Sequence, residues 1–234
     1  MIQDLKKRLV KEDGNTMLFV MGALGLLMIL FVFVFNMGAA FVTKEQSAST
    51  ARQASLAATS AFYDELRHAL SGEEIKYGES DENDSVDEED SGEGESSEET
   101  WNFDEELQKA RESTPIGSLS PNEWEIEILE RVITAALHTP LLGEIVEEHL
   151  KSNISHQNVV EAARTAVVAN GGELDGAVLK IDENRFKVNA ANEFQSTSYD
   201  GFFEGIKQKL YRGSAGPRVN LIEDLWTGHS SYDL

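Results

Sequence analysis

No cysteine occurs in the 234 residues. That excludes disulfides, zinc–thiolate centres and cysteine nucleophiles together, while leaving the cellular compartment open. Proline is scarce, four residues in all, and none falls before Pro115. Positive charge is also short: 20 Lys and Arg stand against 42 Asp and Glu, a formal net charge of -22. Phosphate backbones would be repelled by such a surface and no basic patch is visible, so nucleic acid is excluded as a partner.

Motifs that carry chemistry are missing as well. The five histidines, His68, His138, His149, His156 and His229, form no HExxH, and His149 and His156 share no metal-ligand spacing. Glu144, Glu147 and Glu148 beside His149 read as the solvated face of an amphipathic helix. Gly213-Ser214-Ala215-Gly216 is not GxSxG, has no strand leading into it, and reads as a loop ahead of Pro217. Gly171-Gly172 and the Gly22–Gly25 pair lack the Lys and the strand–helix context of a phosphate loop. No catalytic, cofactor-binding or metal-binding set is assigned, and the chain is not read as an enzyme.

What is present is a run of nineteen residues, 17–35, without a charge or a strong hydrogen-bonding side chain. A helix needs about 20 apolar residues to cross the hydrocarbon core of a bilayer. No breaker follows until Ser71-Gly72, and the intervening sequence is Ala-rich. The expectation is one long helix, transmembrane over 17–42 and juxtamembrane over 43–70. Lys6, Lys7, Arg8 and Lys11 precede the span, whereas Lys44 and Arg52 follow it. That asymmetry places residues 1–16 in the cytoplasm and the rest outside the membrane. The small-residue run Gly38-Ala39-Ala40 offers a cleavage site, but the apolar run is longer than a signal-peptide core, which favours a retained anchor. Gly22, Gly25 and Gly38 are candidates for close approach of another helix. Ala51, Ala54, Ala58 and Ala61, with Ser55, Phe62, Leu66 and Ala69, form a narrow stripe of small residues suited to packing against a partner helix or against the chain's own domain.

Residues 71–100 follow as an acidic linker. Fourteen acidic residues and one Lys between Gly72 and Trp101 give a local charge of -13, which predicts a disordered, extended spacer. Asp87, Glu89, Ser91, Gly92, Glu95 and Glu98 match calcium-loop spacing, without an apolar eighth position or flanking helices, so the spacer reading is preferred.

Residues 101–234 predict an α+β domain, mostly helical. A short helix is expected over 101–111. Ser120-Pro121-Asn122-Glu123 is a capping box with Pro at the first helical position, opening a helix with Trp124, Ile128, Val132 and Ala135 on one stripe. Thr139-Pro140 separates it from another, with Leu141, Leu142, Ile145, Val146 and Leu150 inward. A third spans about 157–170 and ends at Gly171-Gly172. The period then becomes two: Ala177, Leu179 and Ile181, then Phe186, Val188 and Ala190 across Asp182-Glu183-Asn184, a β-hairpin with one apolar face. Residues 199–211 read as a last amphipathic helix, with Asp200 and Glu204 early and Lys207, Lys209 and Arg212 late. Asn220 is expected to start one more turn.

Residues 11–61 resemble the TadE/TadG-like family of membrane proteins that assist assembly of Flp (tight-adherence, type IVb) pili. Glu12-Asp13-Gly14-Asn15 is similar to the family's entry element and Asn36-Met37-Gly38 to its exit, with Asn36 in place of the usual Asp. Lys44 occupies the usual basic position, Ala54-Ser55-Leu56-Ala57-Ala58 resembles the family's Ala-rich run, and Arg52 stands where Asp is common. Five residues after Gly14 is Phe19, where prepilin-peptidase substrates carry Glu, so the resemblance implies an uncleaved, anchored member. It further implies a single-pass, non-enzymatic accessory or structural protein. Its partners would be the bilayer and other pilus-assembly or pilin-like membrane proteins, with oligomers possible. The competing reading is a membrane-anchored binding or sensing module unrelated to pili.

Overall fold

The computed structural model describes residues 13–78, 99–196 and 206–234. Its organising element is α1, Asp13–Leu70, an unbroken helix of 58 residues. At 1.5 Å per residue it is about 87 Å long. It ends where the sequence expected: the Ser71 N–H donates to the Arg67 carbonyl, and Gly72 at φ 77° takes the left-handed turn.

The acidic linker is corrected at both ends. Glu74–Tyr77 (β1) pairs antiparallel with Glu99–Asn102 (β2), setting Ile75 opposite Trp101. Both side chains are buried, and that burial offsets the cost of bringing the two acidic ends together. The calcium-like spacing at Asp87 to Glu98 lies outside the described residues. The helix expected from Trp101 begins two residues later, as α2 (Phe103–Ser113), because the Asn102 side chain accepts from the Glu105 N–H and caps it.

The helix α3 (Pro121–Leu137) has the full capping box at Ser120 and Glu123, whose carboxyl the Ser120 hydroxyl and N–H hold below its usual range. In α4 (Leu142–Asn153) two expected inward positions are corrected: Leu141 and Ile145 are exposed, while Leu142, Val146 and Leu150 are buried. The cause is the tight α3–α4 turn. Leu141 sits at φ 65°, and Gly143 lies so close to the Leu137 carbonyl that an added Cβ would be 2.3 Å from its oxygen. That approach fixes the rotation of α4. The next helix, α5, covers His156–Ala169 and is capped by Ser155.

The strands β3 (Glu173–Asp182) and β4 (Arg185–Gln195) are antiparallel. Glu183 and Asn184, both at positive φ, make the connection, the backbone pattern of a type I′ turn. The expected helix over 199–211 is wrong where it can be seen: Lys207–Ala215 is β5, paired with β4 along its whole length. Residues 199–205 of that expectation lie outside the described residues. The Gly213-Ser214-Ala215 stretch read as a loop is therefore strand. A short helix, α6 (Leu221–Leu225), and β6 (Ser231–Asp233) complete a sheet of order β5-β4-β3-β6.

One face of this sheet carries Leu179, Phe186, Val188 and Ala190, all buried. The C-terminal half of α1 packs on β4, β5 and α5. Phe62 of α1 meets Phe186 and Trp226 with ring centroids 5.7 and 6.1 Å apart. The opposite face is open and polar, with Lys180 and Asn189 exposed.

Candidate functional site

The helix α1 has two halves that the solvent treats differently. From Met17 to Val42 its large apolar side chains are exposed, from 55% at Leu30 to 76% at Phe19, apart from the half-buried Val32. This half is long and apolar enough to cross a membrane. Among the described residues, nothing outside the helix's own backbone comes within 4 Å of a Cβ added at Gly22, Gly25 or Gly38.

The small-residue stripe behaves differently. Ala51, Ala54, Ala58 and Phe62 are fully buried inside the chain's own domain, and Ala61 is partly buried against the same core. Of the two expectations for this stripe, intramolecular packing is the one observed. The face left outside, with Ser49, Gln53, Leu56, Ser60 and Asp64, is mainly polar.

Where the halves meet, a buried polar knot fastens α1 to the sheet. Ser47, Thr50 and Asn192 are each 3% exposed or less. The Asn192 N–H donates to Ser47 Oγ at 3.0 Å, and the Ser47 hydroxyl donates to the Thr43 carbonyl at 2.9 Å. Thr50 donates to Asn192 Oδ1 at 3.0 Å. The Asn192 amide nitrogen donates to the carbonyls of Gly171 at 2.7 Å and Asn170 at 3.2 Å, at the C-terminus of α5. Three elements far apart in sequence are joined, and these polar side chains find partners that offset their desolvation. Gly172 allows the closeness, since a Cβ there would lie 2.8 Å from Thr50 Cγ2. Higher up, Gly216 does the same beside Thr59 and the Ser55 carbonyl.

The far end of α1 is held by more bonds. Glu65 accepts from the Ser155 N–H at 2.9 Å and from the Asn158 amide at 2.8 Å, at the start of α5. The buried Tyr63 hydroxyl donates to Glu130 of α3 at 2.8 Å; burial and that carboxylate push its pKa far above the usual value. Arg67 and Arg111 share Glu125 at 3.4 and 2.7 Å. His149 Nε2 donates to the Ala69 carbonyl at 2.8 Å, which fixes that tautomer. His156 meets Trp226 edge-on at 4.5 Å, and burial holds its pKa below the ordinary value.

Among the described residues no group of three or more His, Asp or Glu is placed to hold a metal ion. Sequence reasoning missed Ser47, Thr50, Glu65 and Asn192. The local signal of Ser47, Thr50 and Glu65 is a hydroxyl or carboxylate among the small and apolar residues of α1, and Asn192 on β4 has none. Comparison of the chain with protein-family models, with characterised proteins and with solved structures finds no match.

Proposed function

We propose that the chain is a single-pass, membrane-anchored, non-catalytic component of Flp-type pilus assembly, with its N-terminus in the cytoplasm and its α+β domain outside. The observation that supports this most is the continuity of α1: an exposed apolar half becomes, without a hinge, the core helix of a folded domain. Such a part positions a domain at a membrane and works through contacts. Because the Ala51, Ala54 and Ala58 stripe is consumed internally, lateral contact with partner membrane helices falls to Gly22, Gly25 and Gly38. The residue resemblance at the entry, exit and Ala-rich run supports the pilus assignment.

Two experiments test the reading. The chain contains no cysteine, so Glu144→Cys on the exposed face of α4 gives a single reactive thiol. A membrane-impermeant maleimide should label it on intact cells, and labelling only after lysis would sink the outside placement. Deletion of the coding sequence should abolish surface pili; normal piliation would favour the unrelated binding module. Within the span, Gly22→Ile with Gly25→Ile should lower piliation while leaving domain stability unchanged.

A further inference from the structure

We infer that the end of the sheet, where β4 finishes and β5 begins, rests in the headgroup layer of the bilayer and contacts phospholipid headgroups. This rests on the membrane-anchor reading of α1.

Two contacts align β4 with α1. Phe186 stacks near Phe62, and Asn192 bonds to Ser47. The strand covers about 20 Å between them, and the helix covers about 22 Å over the same interval, in the opposite chain direction. The strand therefore runs nearly along the helix axis, toward the apolar half. From Asn192 to Ser196 it continues about 13 Å, which is about nine helical residues and reaches the level of Gly38. The Ser196 N–H still donates to the Ile206 carbonyl at 3.0 Å, so the two strands stay paired to this end. On the helix, Asn36, Ala40, Thr43, Ser47 and Thr50 are covered or partly covered and lie three or four residues apart, so the shielded face of α1 reaches below the knot.

A hydrocarbon core of about 30 Å takes up about 20 residues from Met17, ending near Asn36. The headgroup layer beyond it, about 5–7 Å thick on each side, covers the level of Gly38. The groups found there suit that layer. Ile206 is 50% exposed at the sheet end, and Lys207 beside it is exposed. Lys207 shares its charge with Glu193 at 3.3 Å. An exposed apolar side chain next to an ion pair matches a layer that is apolar on one side and wet on the other.

The test uses the full chain in vesicles of phosphatidylcholine and phosphatidylglycerol, labelled at one introduced cysteine with an environment-sensitive fluorophore. Three positions are compared: Phe31→Cys in the apolar half, Ile206→Cys at the sheet end, and Glu144→Cys on α4. Nitroxide-bearing headgroups should quench Ile206→Cys and leave Glu144→Cys unquenched, while acyl-chain nitroxides quench Phe31→Cys. Gln195→Cys, exposed at the paired end of β4, repeats the measurement should Ile206→Cys fail to fold. Quenching at position 31 without quenching at 206 or 195 overturns the inference and leaves the anchor standing. No quenching at any position overturns both.

Discussion

Asn192 is the side chain on which the most separate segments depend. It accepts from Thr50 of α1, its own N–H donates to Ser47 of α1, and its amide donates to the end of α5, so removing one partner strands others in a dry site. Thr50→Val keeps the volume of Thr50 and deletes its hydroxyl, leaving Asn192 Oδ1 without that donor. The expected cost is about 1–3 kcal/mol, read from denaturant unfolding of the chain in detergent. Tyr63 makes a pH-dependent contribution. Its hydroxyl holds a proton to higher pH in the folded chain than the ordinary value of 10.0. Since the folded-state pKa is raised, the stabilisation is fully present below pH 10 and is lost as pH climbs above it. The stability difference between the wild type and Tyr63→Phe should therefore be constant through neutral pH and shrink above about pH 10. A difference unchanged at pH 11 would contradict the raising of the Tyr63 pKa by burial and by Glu130.

At the scale of elements, α1 carries opposite demands on opposite faces. Ala58 is fully buried, and Ala58→Leu should cost about 1–3 kcal/mol by overpacking. Leu56, 48% exposed on the outer face, should tolerate Leu56→Ala within about 0.5 kcal/mol. Thermal unfolding of the two variants side by side checks both. The helices were legible in sequence because their signals are local: the capping box at Ser120, the absence of Pro across α1, the Gly pair after α5. The alternation from Ala177 to Ala190 was legible for the same reason. By contrast β5 is an edge strand with most of its side chains exposed, so it has no apolar period of two to read. Its charges, acidic before and basic within, imitate a helix dipole pattern, and only pairing with β4 decides otherwise. The β1–β2 ladder was hidden because 21 residues, eleven of them acidic, separate two strands whose apolar signal is Ile75 and Trp101. The knot was not legible at all: Ser47 and Asn192 are 145 positions apart, and neither belongs to a motif.

For the whole molecule, charge is the dominant stress. With a net charge of -22, self-repulsion opposes compaction, so the unfolding temperature should rise as ionic strength increases from about 0.01 to 0.15 M, where the Debye length falls from about 30 to 8 Å. Replacing residues 78–98 with Asn-Gly should preserve the β1–β2 pairing, weaken that salt dependence and raise stability. The shorter loop alone lowers the closure entropy by about 2 kcal/mol. Loss of folding in this variant would show that the acidic segment does more than connect two strands.

The unbroken helix also makes the domain a lever. About 35 Å of α1 lie beyond Ser47. Where the apolar half crosses a bilayer, the angle it takes up is set by how well its length matches the membrane's thickness. With no hinge at the knot, a lean of about 20° carries the Leu70 end sideways by about 12 Å. A change in lipid thickness too small to disturb any contact within the domain would thus arrive, magnified, at the strand pair β1–β2.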